Sequence, residues 1–204
     1  MGIFDRQREN KSGFTIIELL VVIGVIGILI GLVAVYYPNY QMRTRNSERK
    51  SDLSQLATAL NGYALQKNNH VGPGSGCGFL GDGSGWLNLN NDNSGGWYPK
   101  SIPKCLQEAG LLKTEDDILD PTGCRSDTGG ICGTYLTTPT TAYMKASCTK
   151  NGQPIVYVMA HLEGEPRKDA EVDALCDTNS IAWFNPTSQK WGTNYGMNYW
   201  VVVK

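Results

Sequence analysis

Residues Lys11–Tyr37 read K-S-G-F-T-I-I-E-L-L-V-V-I-G-V-I-G-I-L-I-G-L-V-A-V-Y-Y. A basic entry and a Gly13-Phe14 junction lead into an apolar run with a single acid, Glu18, near its start; no charged residue follows between Leu19 and Tyr37. About 20 apolar residues rising 1.5 Å each cross a bilayer core of roughly 30 Å, so the run predicts a membrane-spanning helix over 14–37. A carboxylate in such a helix costs on the order of 2.5–3.5 kcal/mol near the bilayer centre, and less toward an end, so Glu18 calls for a partner. Cutting the Gly13–Phe14 bond would create one. The new α-amino group on Phe14 lies one helical turn before Glu18, and ammonium and carboxylate can neutralise each other between neighbouring copies.

The segment K-S-G-F-T-I-I-E-L-L-V-V-I resembles the processing and assembly signal of type IV prepilins and pseudopilins, over roughly the first quarter of the chain. The resemblance implies a leader that ends at Gly13 and is removed by a prepilin peptidase, N-methylation of Phe14, and an assembly role for Glu18. It implies further partners: an assembly platform with its ATPase, and other pilin subunits in a homo-oligomeric or mixed filament. The implied location is the inner or cytoplasmic membrane, as a single-pass protein, and then an extracellular filament at the cell surface. A plain signal anchor accounts for the length of the run but not for Gly13, Phe14 and Glu18 together. A cleavable secretory signal needs a shorter run and a small-x-small site.

Working outward, the chain divides into a cytoplasmic leader (1–13), a long helix (14–68) with its membrane half at 14–37, and an exported domain (69–204). The leader carries Arg6, Arg8 and Lys11 against Asp5 and Glu9; removing it from a chain of net charge −1 leaves 15 basic and 17 acidic side chains. That balance gives no direct evidence for a nucleic-acid partner. Arg43, Arg45, Arg49 and Lys50 stand just past the span, so counting Lys and Arg does not by itself favour export of the C-terminal part. The cysteines and the resemblance do. Within the span, Gly24, Gly27, Gly31 and Ala34 fall within about 80° of one another, and such a small-residue face suits close helix packing. Glycine is also simply frequent in membrane helices.

Pro38 departs from the resemblance, since prepilins commonly place a proline a few residues earlier; a kink is then displaced toward the membrane surface or missing. Beyond it, Leu53, Leu56, Ala57, Leu60, Tyr63 and Ala64 follow i, i+3, i+4, i+7 spacing, while Arg49, Lys50, Asp52, Ser54 and Gln55 are assigned to other faces. The basic cluster from Arg43 to Lys50 reads as a solvated helix face. Residues 69–96 are dense in Gly, Ser, Asn and Asp around Trp86, and read as an ordered surface loop. Gly76, Gly78 and Gly81 match G-x-G-x-x-G without the flanking strand and helix that would give it meaning. Asp82, Asn91, Asp92 and Asn93 offer oxygens to calcium, yet fit no EF-hand spacing, and turn chemistry explains them.

Ser101 as a cap, Pro103 in the first turn and Gly110 near the end predict a short helix over 101–112. After the Asp120-Pro121-Thr122-Gly123 turn, strands are predicted at 134–138, 155–162, 181–184 and 195–203. Asp-Pro followed by strands, one ending in His161-Leu162-Glu163, is weakly similar to small pseudopilin-like domains. The fold class expected is therefore α+β, with the long helix packed on an antiparallel sheet that carries disulfide-stapled loops.

All six cysteines, Cys77, Cys105, Cys124, Cys132, Cys148 and Cys176, lie beyond the span and favour disulfides. Connectivity stays open; sequential pairs, Cys77 with Cys105, Cys124 with Cys132 and Cys148 with Cys176, close the most local loops. Zinc is the rival, but there is no C-x-x-C and only two histidines, His70 and His161. No Walker loop, G-x-S-x-G or H-E-x-x-H is present, and no catalytic residue, metal or cofactor is assigned. Two functions remain: a filament subunit assembled through its apolar helix, and a non-polymerising, membrane-tethered binding or adhesion domain. Within the filament class, secretion, competence, adhesion and motility are not separated by these residues.

Overall fold

The computed structural model describes residues 13–66, 85–87, 100–114, 118–122, 143–177 and 190–203. The chain divides into two units, Met1–Gln41 and Met42–Lys204. Helix α1, Ile16–Gln66, runs through both. It continues through Pro38, which removes one ladder donor without ending the helix.

In the first unit every described residue is exposed. From Ile16 to Val35 the large exposed side chains of α1 are Ile, Leu and Val, including Leu20, Ile23, Leu29 and Ile30. Such β-branched density is a poor helix former in water. It suits hydrocarbon, where a helix satisfies its own backbone groups and the surrounding solvent is as apolar as the side chains.

The second unit buries the same helix by a stripe. Leu53, Leu56 and Leu60 are fully enclosed, and Ala57 and Tyr63 nearly so; each leucine is worth about 1.5–3 kcal/mol against exposure. The stripe meets α2 (Ile102–Glu108) through Ile102, Cys105 and Leu106, and the sheet through Val158 and Ala160, with Tyr143 beside it. Helix α2 starts where its sequence signals place it. Ser101 Oγ accepts from Lys104 N at 3.3 Å, proline occupies the first turn, and Gly110 follows at φ 73°.

The sheet is antiparallel in the order β1 (Gly85–Trp86), β2 (Met144–Lys150), β3 (Gln153–Ala160), β4 (Tyr199–Val203). Alternation along β3 sends Val158 and Ala160 to the α1 side, and Tyr157 and Met159 to the other. That second face packs Met144, Ala146 and Met197 with Val172 of α3 (Asp169–Asp173) and Trp191 of α4 (Trp191–Tyr195). Gly192 is required there, because a Cβ would stand 2.5 Å from the Asp169 Cα. Asp173 holds the start of α4, accepting from Gly192 N at 2.8 Å and the Thr193 hydroxyl at 2.6 Å.

Several expectations shift. Strand β2 is not among the predicted strands, and its hairpin with β3 turns on Asn151-Gly152, both at positive φ (52° and 75°), the residue pair that a two-residue hairpin favours. The last strand runs from Tyr199 and not from Tyr195, which ends helix α4. The reading of Arg49 as part of a solvated face, and of Asp52 as lying on another face than the apolar stripe, is corrected, since both are buried. Arg49 stands four residues before Leu53, on the buried stripe, and ion pairing makes its burial tolerable. The predicted strands at 134–138 and 181–184 lie outside the described residues.

Candidate functional site

The N-terminus of α1 is built from four neighbouring residues. Gly13 and Phe14 precede the helix in extended or irregular backbone, and Phe14 is 89% exposed. Thr15 caps it. Glu18 Oε2 accepts from Thr15 N at 2.9 Å and from the Thr15 hydroxyl at 2.8 Å, while Glu18 N donates to Thr15 Oγ1 at 3.2 Å. This is a reciprocal capping box, T-x-x-E, which answers two of the free donors at the helix start and favours a carboxylate at the positive end of the helix dipole. Sequence reasoning assigned Glu18 to a neighbour and overlooked Thr15, although T-x-x-E is itself a readable helix-start signal. Gly24, Gly27 and Gly31 lie along the exposed part of α1, and a Cβ at any of them would meet open space.

A second polar centre lies in the other unit, where the chain leaves β3. Arg49, with its side chain wholly buried, donates from Nε to Asp120 Oδ2 (2.7 Å) and from Nη2 to Asp120 Oδ1 (3.0 Å). Its Nη1 donates to Glu163 Oε1 (2.7 Å) and to Asn46 Oδ1 (3.2 Å). Arg45 grips the same carboxylate through Nε (2.9 Å) and Nη2. Asn46 and Asn198 then pair like short strands with consecutive backbone units. Asn46 exchanges two bonds with Glu163, and Asn198 exchanges two with Leu162. Asp52 accepts from the Tyr143 hydroxyl at 2.7 Å.

The electrostatics follow from these contacts. Hydrogen bonds from Arg45, opposed by partial burial and reinforced by Arg49, lower the Glu163 pKa to about 2. Burial works against the Arg49 charge, but Asp120 and Glu163 outweigh it, so its pKa rises. Burial, with the Asp52 bond behind it, pushes the Tyr143 phenol far up. His161 is lowered by burial despite the bond between its Nδ1 and Gly196 O at 2.7 Å. Each charged side chain named here has an oppositely charged or hydrogen-bonded neighbour. The centre holds α1 to the loops at Asp120 and Glu163.

Cys148 on β2 and Cys176 are joined in a disulfide, as sequential pairing expects. Cys105 of α2 is also disulfide-bonded. Cys77, Cys124, Cys132, His70 and the oxygen-bearing residues Asp82, Asn91, Asp92 and Asn93 lie outside the described residues. Among the described residues no group of three or more His, Cys, Asp or Glu converges on a metal position.

The prokaryotic N-terminal methylation motif matches residues 8–34, which contain Gly13, Phe14 and Glu18. Over this N-terminal segment the chain is similar to type IV pilins and to a type II secretion system core protein. The chain is similar to the type IV major pilin protein PilA of Myxococcus xanthus, 34% identical over 65 residues, 32% of this chain and 30% of that one. The type IV major fimbrial protein FimA of Dichelobacter nodosus is 40% identical over 54 residues, 26% of this chain and 35% of FimA. Type II secretion system core protein G of Pseudomonas aeruginosa is 37% identical over 59 residues, 29% of this chain and 42% of that protein. The match thus spans between 30% and 42% of the length of these relatives. No solved structure matches this chain.

Proposed function

We propose that this chain is a structural subunit of a type IV pilus or a type II secretion-like pseudopilus, processed between Gly13 and Phe14 and assembled through its apolar helix. One observation carries the reading. An exposed, membrane-length helix begins with a capped acid one turn after the junction that a prepilin peptidase would cut. Both capping bonds fall on Glu18 Oε2, and Oε1 is the oxygen assigned to the methylated Phe14 amine of a neighbouring subunit. Residues 1–13 are the leader, 14–37 the stored membrane span, and 69–204 the exported domain on the filament surface. Gly24, Gly27 and Gly31 allow adjacent helices to approach in the fibre core. The partners are the peptidase, an assembly platform with its ATPase, and sibling pilins. The chain moves from the inner or cytoplasmic membrane to the cell surface.

The capping box allows a clean test. Glu18→Gln keeps a side chain able to cap at the third helical position but removes the charge. The variant is expected to be processed at Gly13 and retained in the membrane, yet to be missing from sheared filaments. Normal incorporation of Glu18→Gln, with intact processing, would refute the register role.

A further inference from the structure

We infer that Tyr36, Tyr37 and Tyr40 form an interfacial belt that fixes the depth of the stored subunit in the membrane, with the lipid headgroup layer opposite Phe14 as its partner. The inference rests on the proposed membrane span and adds a second anchor to it. From Ile16 to Tyr36, α1 advances about 30 Å along its axis, which is the thickness of a bilayer core. With Glu18 at one boundary, the three tyrosines arrive at the other. No aromatic residue stands between Leu19 and Val35, and three then fall within five positions. All three project outward, at 70%, 54% and 68% exposure. A phenol suits that depth, because its ring favours the acyl boundary while its hydroxyl stays with headgroups and water.

Their placement around the helix adds a second argument. At about 100° per residue, Tyr36, Tyr37 and Tyr40 fill an arc about 100° wide. Its centre lies about 150° round the helix from the centre of the arc of Gly24, Gly27, Gly31 and Ala34. A subunit packed on its small-residue side therefore keeps its tyrosine side toward lipid. Storage at a fixed depth and early contact between copies use different faces and do not compete.

The test uses the full chain in lipid nanodiscs, with 3-fluorotyrosine placed singly at positions 36, 37 and 40 and 4-fluorophenylalanine at position 29 as a mid-span reference. Fluorine relaxation is measured with dissolved oxygen, which concentrates in hydrocarbon, and with a nickel chelate confined to water. The tyrosine probes are expected to respond to both reagents and the position 29 probe to oxygen alone. Tyrosine probes that answer only to oxygen, or only to the chelate, beside an oxygen-only reference would overturn the belt while leaving the span intact. Chelate access at position 29 would overturn both. Combining Tyr36→Ser, Tyr37→Ser and Tyr40→Ser is expected to lower the oxygen-to-chelate ratio at position 29, and an unchanged ratio would overturn the depth-setting role.

Discussion

Helix α1 answers its charges in two different ways. Near its start, Glu18 is exposed and its hydrogen bonds come from Thr15, three residues away. Farther along, Arg49 is buried and its partners, Asp120 and Glu163, are 71 and 114 residues away in sequence. The apolar residues follow the same division. They cover the outside of α1 up to Tyr40, whereas Leu53, Leu56 and Leu60 are shut inside a core. A continuous hydrogen-bonded helix thus carries two surfaces with opposite requirements. A local cap suffices where the surroundings are lipid or other helices, and a long-range ion network is needed where the helix must be held to a particular domain.

The sharpest way to break this contrast is to remove the long-range answer. Arg49→Ala leaves Asp120 buried without its bidentate partner, and losing one side of a buried pair costs about 3–5 kcal/mol. The urea midpoint of the full chain in detergent, followed by tryptophan fluorescence, is expected to fall accordingly. A shift no larger than that of an exposed control such as Lys50→Ala would show that the network contributes little.

The next effect tests whether covalent closure shares the work. Replacing Cys148 and Cys176 together by serine opens a loop of 28 residues and is expected to cost about 3 kcal/mol in the same assay. The proposed processing at Gly13 should continue, because Gly13 lies in the other unit.

A smaller effect is a pH dependence. The Glu163 carboxyl is lowered from 4.5 to about 2, so its stabilising contribution is complete above the unfolded value and is lost as pH falls through the folded one. Stability should therefore decline between about pH 4.5 and 2. Glu163→Gln should flatten the slope in that window, and an unchanged slope would remove Glu163 from the account.

How much of the molecule was legible depends on the same contrast. The apolar run of α1 and the cap of α2 are short-range patterns, and the chain states them outright. The capping box and the Asn151-Gly152 hairpin are equally local signals, T-x-x-E and Asn-Gly. Strand β2 was harder, because Met-Lys-Ala-Ser-Cys-Thr-Lys has little β-branched character and becomes a strand by pairing with β3. Spacing does place Arg49 on the Leu53 stripe, so its burial had a signal. Its partners had none, since nothing in one sequence couples position 49 to positions 120 and 163.

The smallest effect falls on the local side. Thr15→Ala removes the cap at a cost of about 0.5–2 kcal/mol, and amide exchange in the first turn of α1 should quicken while the second unit is unchanged. Equal protection with and without Thr15 would show that the box does not hold the helix start.

The central claim is that the first unit is a processed assembly helix and not a tether, and the N-terminus of the mature chain tests it most directly. Mass spectrometry of the protein recovered from sheared surface filaments is predicted to find a chain beginning at N-methylated Phe14. A chain that keeps Met1, remains with the cell membrane and is missing from filaments would contradict it.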